Sequence, residues 1–280
     1  MGIPITCLIN LHRLDTQQSC ENYILIRKSS LTGGLALLLS HSVMYAQDNP
    51  IVPDRPGFST GTYTVKPGWF NVESGYQYAF NNNGINYTTQ TVPLLNLRIG
   101  ISPKAELNLL WDGWNIQDDD NQPSDTSVSD LSVGGKYRLY ESEQYNLTAL
   151  GMISLPVGSK PSTSDNVDPL LGLLWDYSLS SNVSLFGVIQ GSSYKSEGDR
   201  VYDLQPAIGA SFSHTEKLGT FIEYYSIIPF DSQLNTQSVI DAGITYLFNK
   251  DTQLDVNFGI GLNNASDNFV GFGIARQFSP

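Results

Sequence analysis

The feature that most constrains this chain is a strict two-residue alternation, cleanest in its last stretch, NFVGFGIARQF, from Asn268 to Phe278. Val270, Phe272, Ile274 and Phe278 fall on one side, with Gly271, Gly273, Ala275 and Gln277 on the other. That period belongs to a strand lying between two different environments. The same rule recurs upstream. Trp69–Phe80, Thr89–Ile101, Ala105–Trp114 and Val128–Tyr140 each set large apolar residues against small or polar ones. With more irregularity it continues through Tyr145–Leu155, Val167–Leu179, Val183–Gly191, Val201–Ser213, Leu218–Ile228, Ser238–Phe248 and Thr252–Leu262. The sequence thus predicts twelve strands, most near the roughly 9–11 residues that cross a bilayer at a tilt.

The links between strands test this independently. Ser102–Lys104, Glu141–Gln144, Ser180–Asn182, His214–Lys217 and Asn249–Asp251 are short. The intervening links are mostly longer and richer in Asn, Asp, Ser and Gly, among them Asn115–Ser127, Gly158–Asn166 and Ser192–Arg200. Short turns on one side alternating with long loops on the other are the asymmetry of outer-membrane barrels. Together with a closing strand that ends on an aromatic residue, they predict an all-β fold, a closed antiparallel transmembrane β-barrel of about twelve strands. Closure is required because lipid tolerates no open sheet edge. Aromatic residues near the strand ends, such as Trp69, Trp111, Tyr140 and Phe248, suit the headgroup level. Some residues depart from the pattern. Leu110, Trp114, Leu170, Leu174, Phe186 and Val188 take the inward parity, so the interior is partly apolar or bulges shift the register. Arg276 takes the outward parity close to a strand end, where a long side chain can snorkel.

The front of the chain reads differently. Leu31–Val43 is too short for a membrane helix, follows Arg27 and Lys28, and precedes Ala46 and a polar start, the layout of a secretory signal peptide. We therefore expect residues 1–46 to form a cleaved leader, 47–67 a periplasmic N-terminal stub, and 68–280 the barrel. Both cysteines, Cys7 and Cys20, lie in the leader, so the mature chain has no thiol for a disulfide or metal. Without the leader, 12 basic residues face 25 acidic ones, a net charge of −13, which excludes nucleic acid as a partner. The expected location is the bacterial outer membrane. The expected partners are outer-membrane lipid and lipopolysaccharide, the barrel-insertion machinery, and a small-molecule solute.

Charges on a lipid face are costly, about 2–4 kcal/mol for Arg or Lys at the midplane, so parity nominates a set of lumen residues. Glu73, Glu106, Asp112, Asp176, Asp203, Glu223, Asp241 and Asp255 share the inward side with Arg98, Lys136 and Arg138. Either they pair across the lumen and fill it, or their surplus negative charge favours cations and neutral solutes. In the stub, Asp54-Arg55-Pro56 is expected to tuck into the periplasmic mouth with Arg55 on a lumen carboxylate, since Pro56 and Pro67 restrict the segment. No cofactor and no metal site is expected. The acidic run Asp118-Asp119-Asp120 with Asp125 and Asp130 lacks an EF-hand spacing. His214 beside Ser211 and Ser213 lies in a short periplasmic turn, and no Gly-x-Ser-x-Gly or His-Glu-x-x-His motif occurs, so the reading is non-enzymatic.

Several segments resemble a known family. Asp54-Arg55-Pro56-Gly57-Phe58-Ser59, followed by Pro67-Gly68-Trp69-Phe70-Asn71-Val72-Glu73, is similar to the opening of the transporters named after a meta-pathway of phenol degradation. Asp130–Arg138 (DLSVGGKYR), Ser154–Ser159 (SLPVGS) and Asp241–Tyr246 (DAGITY) resemble three further motifs of that family, in order, over roughly 51–278. The chain departs from it at Gly57, where an acidic residue is common, and in carrying Ser279 and Pro280 after the terminal aromatic. The resemblance implies an outer-membrane barrel that transports small solutes, aromatic ones among them. The rivals are a closed structural or surface-binding barrel and, further off, an outer-membrane enzyme.

Overall fold

The computed structural model describes residues 50–81, 86–119, 122–196 and 198–280. The leader, with Arg27, Lys28, Cys7 and Cys20, lies outside them, as does Asp120. The described chain holds fourteen strands: β1 (Phe70–Asn81), β2 (Tyr87–Ser102), β3 (Ala105–Trp111), β4 (Trp114–Asp119), β5 (Gln122–Val128), β6 (Leu131–Glu141), β7 (Tyr145–Leu155), β8 (Asp168–Ser180), β9 (Val183–Ser196), β10 (Asp199–Ser213), β11 (Leu218–Pro229), β12 (Gln237–Asn249), β13 (Thr252–Gly261) and β14 (Asn268–Phe278).

Twelve of these close a barrel. Each of β6 to β14 pairs antiparallel with the next, β6 continues to β3 and β2, and β1 pairs with both β2 and β14. The seam runs unbroken from Phe70 opposite Phe278 to Phe80 opposite Asn268. Stacked rings of Phe70 and Phe278, 4.8 Å apart, mark its lower end, beside the last residues of the chain and the short turns.

β4 and β5 form an added hairpin that continues upward along β2, which pairs with β3 below Leu95 and with β4 above Val92. Asn115–Ser127, expected to be a loop, is therefore mostly strand. The reset occurs at Gly113, whose φ of 53° lies in the left-handed region and whose α-carbon approaches the backbone of Val92 and Pro93 too closely for any side chain. Beyond this break the parity flips. Trp114, expected inside, lies on the outer face with its ring 5.2 Å from that of Trp111, and Asn115 turns inward. Likewise the expected Ser192–Arg200 loop shortens, with β9 running on to Ser196 and β10 starting at Asp199.

The outer surface is a belt of exposed aliphatic and aromatic side chains reaching round the barrel, including Ile99, Leu107, Leu171, Ile189, Ile208, Ile222, Ile244, Val256 and Phe272. Leu171 is 71 % exposed. In water such a belt would associate, whereas in lipid it is matched. With every barrel strand paired on both sides, the backbone is satisfied internally, as a bilayer demands. This is the architecture of an outer-membrane protein, and that is where the chain belongs. The buried residues lie inside the barrel. Leu150, Leu174, Val188, Ala207, Tyr225 and Val239 pack around Phe58, which precedes the first strand.

Candidate functional site

Residues 51–69 form a loop inside the lower half of the lumen. It enters beside the β12–β13 turn, where Ile51 N donates to Lys250 O at 2.8 Å, and leaves beside β2, where Gly68 N donates to Gly100 O at 3.0 Å. Between these points it rises until the Phe58 ring stacks on Tyr225, 4.2 Å between centroids and 9° between planes. It then descends to Thr64, close to the Pro103 carbonyl at the β2–β3 turn.

The loop is held by the inward-facing charges. Glu73 on β1 accepts from the amides of Asp54 and Arg55, each at 3.1 Å. Arg98 on β2 grips Glu106 on β3 through Nε at 2.9 Å and Nη2 at 3.0 Å. Its Nη1 reaches Glu73 at 3.1 Å, Asp54 at 3.2 Å and the Val52 carbonyl at 3.0 Å. Lys136 on β6 donates to Asp54 at 2.8 Å and to the Gly61 carbonyl at 3.0 Å, and lies 3.2 Å from Glu106. Val65 N closes this cluster on Glu106 at 2.7 Å. These charges are essentially excluded from solvent, so each depends on its partners.

A second anchor is Arg55. Its Nε and Nη2 bind the two carboxylate oxygens of Asp255 on β13 at 3.1 and 3.0 Å, a two-pronged pair in fixed geometry. Glu223 on β11 accepts from the amides of Phe58 at 2.9 Å and Ser59 at 3.1 Å. A side chain at Gly57 would start 2.9 Å from the Glu223 carboxylate and 3.2 Å from the Phe221 ring. An acidic residue there, common in the family the sequence resembles, would meet a like charge in this chain. Asp176 on β8 binds the Thr62 hydroxyl and accepts from Asn146 at 2.8 Å. Thr148 donates to the Thr62 carbonyl at 2.7 Å.

The other nominated residues lie elsewhere in the lumen. Arg138 is low on β6, paired with Glu141 and donating to Thr64 Oγ1 at 3.2 Å. Asp203 on β10 accepts from Ser192 Oγ at 2.9 Å and Gln205 at 2.9 Å. Asp241 on β12, directly opposite Glu223 in register, is 1 % exposed, and its carboxylate has no hydrogen-bond partner among the described residues. Asp112 sits at the break between β3 and β4, facing the cavity described next.

Above the loop is a cavity of about 140 Å³. Asp54 and Thr60 form its floor. Its walls include Asn96, Asn108, Leu110, Leu150, Leu170, Gln190 and Gln205. Its roof is the β7–β8 connection, residues 156–167, which bends inward. There Ser162 bonds to Ser127 and accepts from Asn115 at 3.2 Å, while Asp130 takes the Gly158 amide at 2.8 Å and the Thr163 hydroxyl at 3.0 Å. Asp168 pairs with Arg200 and bonds to Ser164. The expected acidic loop thus spends Asp130 on shaping the roof. Among the described residues no group of three or more His, Cys, Asp or Glu comes together to hold a metal. His214 lies exposed in the β10–β11 turn, its Nε2 2.8 Å from Thr220 Oγ1.

The roof over the cavity had no signal in the sequence. The apolar inner wall had one, the inward parity of Leu110, Leu170, Leu174 and Val188: Leu110 and Leu170 line the cavity, and Leu174 and Val188 pack in the cluster around Phe58.

The family model described as "Putative MetA-pathway of phenol degradation" matches residues 53–278. Among curated proteins nothing matches this chain. Among solved structures, an outer membrane channel from Pseudomonas putida F1 superposes with a TM-score of 0.63 at 12 % identity, covering 77 % of this chain and 97 % of that one. The KdgM porin follows at a TM-score of 0.48 and 8 % identity, covering 74 % and 99 %.

Proposed function

The chain belongs to that phenol-degradation family, and on this premise we propose that it is a passive conduit for small solutes across the outer membrane, plugged from below by its own residues 51–69. The carrying observation is that this segment, joined covalently to β1, is held by lumen side chains from eight strands. Nothing in its contacts is needed to close the barrel, so a displaceable plug is the reading that accounts for them. Twelve strands fall between barrels whose interior is filled by side chains and those with a wide aqueous channel, which suits a narrow pathway. The function is passage and not catalysis. The family's association with aromatic degradation makes aromatic solutes the first to try.

Selectivity on this reading comes from lumen charge. Arg98 and Lys136 are spent on Asp54, Glu73 and Glu106, and Arg55 on Asp255. Asp112, which lines the cavity, carries no compensating ion pair among the described residues, so the pathway favours cations over anions. Reversal potentials across a salt gradient test this: cation preference is expected, and anion preference contradicts it. The partners on this reading are lipid and lipopolysaccharide around the belt, with the insertion machinery acting on the closing strand during biogenesis.

The density of contacts around Phe58 supports a second reading, a closed barrel that works through its outer rim. Liposome swelling separates the two, since a closed barrel passes no solute even after residues 47–66 are removed.

A further inference from the structure

The cavity between plug and roof has a chemistry that the ion pairs beneath it do not absorb. Asn108 donates its Nδ2 to Glu106 at 3.1 Å. A carboxylate in an ion pair only accepts, so this bond fixes which way the amide points. The Asn108 Oδ1 is then left without a donor among the described residues, and the same is true of Asn96 Oδ1. These residues are only 6 % and 2 % exposed, and leaving such buried acceptors unpaired costs about 1–3 kcal/mol each. Asp112 lines the same cavity, and no described side chain forms a hydrogen bond or ion pair with its carboxylate. The cations nearby are already committed. Lys136 and Arg98 are held by Asp54, Glu73 and Glu106, and Arg55, whose field reaches Asp112, is held by Asp255. Another part of the wall is apolar, formed by Leu110, Leu150, Met152 and Leu170.

We propose that this cavity binds small organic ammonium ions, a protonated primary amine on an apolar body the size of a benzene ring. An ammonium group has three donors and no acceptor, and the wall offers it unpaired acceptors, the Asp112 carboxylate at its top and the Asn96 and Asn108 oxygens below. The Leu and Met wall takes the body. The volume is right, since a dry apolar cavity of about 150 Å³ holds benzene. A carboxylate ligand would instead face the carboxylates of Asp112 and Asp54, which line the same cavity.

The inference rests on the conduit reading only for its meaning, with the bound amine as cargo. Its test is therefore binding, not flux. The full-length barrel, purified into nanodiscs of zwitterionic lipid, is titrated calorimetrically with benzylammonium, benzyl alcohol and benzoate, and empty discs are subtracted. Saturable benzylammonium binding is expected, at least tenfold tighter than benzyl alcohol, with benzoate not bound. Asp112→Asn should erase the preference for the amine and leave benzyl alcohol binding in place. Equal affinity for amine and alcohol, or binding of benzoate, overturns the proposal on the wild-type barrel alone. Amine binding without conductance would sink the conduit reading and leave this site standing. Conductance without amine preference would do the reverse.

Discussion

Gly75 on β1 and Gly273 on β14 stand directly opposite each other across the closing seam, and the Arg55 guanidinium occupies the space their side chains would need. Both glycines are on the inward parity, so the seam is thinned just where the plug's cation passes to Asp255. Gly273→Leu should expel Arg55 and leave Asp255 buried without its partner. The barrel itself should still fold, seen as heat-modifiable migration on a gel, while single-channel recordings show more frequent and larger openings. Wild-type conductance in that variant would mean that Arg55 does not anchor the plug.

Arg98 bridges three lumen carboxylates, those of Asp54, Glu73 and Glu106. Removing one member of a buried charge cluster typically costs about 3–5 kcal/mol, because the remaining charges stay buried and uncompensated. In Arg98→Ala, Glu73 would keep only its backbone amide contacts, and Glu106 only Val65 N, Asn108 and Lys136. The expected outcome is a plug cleaved by added protease at residues 51–69, at a rate well above wild type. An unchanged digestion pattern would remove Arg98 from the anchoring set.

Phe58 tests the apolar side of the same plug. Its ring on Tyr225 lies against Leu174 and Val188, and truncating a buried Phe to Ala costs about 3–5 kcal/mol. Phe58→Ala should raise open probability with little effect on ion selectivity, since no charge changes. A selectivity shift without a change in gating would contradict this division of labour.

The lipid face makes a prediction of its own. Ile208 on β10 is exposed on the outer belt, flanked by inward-facing neighbours. Ile208→Arg should lower the unfolding free energy in a lipid bilayer by about 2–4 kcal/mol if it lies near the midplane. The same measurement on exposed Thr215, in the β10–β11 turn, should show almost no change on Thr215→Arg. Equal effects at both positions would deny the bilayer placement.

Much of this architecture was legible because barrel strands obey a local rule. The alternation from Asn268 to Phe278 fixed the closing strand to the residue, and the short turns kept one phase. The β4–β5 hairpin was hidden for the opposite reason. Where a strand rises past the lipid, no apolar face is required, so Asn115–Ser127 carries a loop's composition on a strand's backbone. The left-handed Gly113 resets parity within one residue, which is why Trp114 was assigned to the wrong face. Parity also placed the lumen charges, since a charge has only one affordable side in lipid. Their partners were not readable: Arg55 meets Asp255 across 200 residues of sequence. Leu174 and Val188 were readable as part of a partly apolar interior, but not Phe58 as the surface they pack against.

A plugged conduit requires that residues 51–69 fill the lumen in the membrane. Single-channel conductance of the intact barrel against a barrel lacking residues 47–66 measures this directly. A several-fold larger unit conductance after the deletion is the predicted result. Identical conductance in the two proteins, with both fully folded, would contradict it.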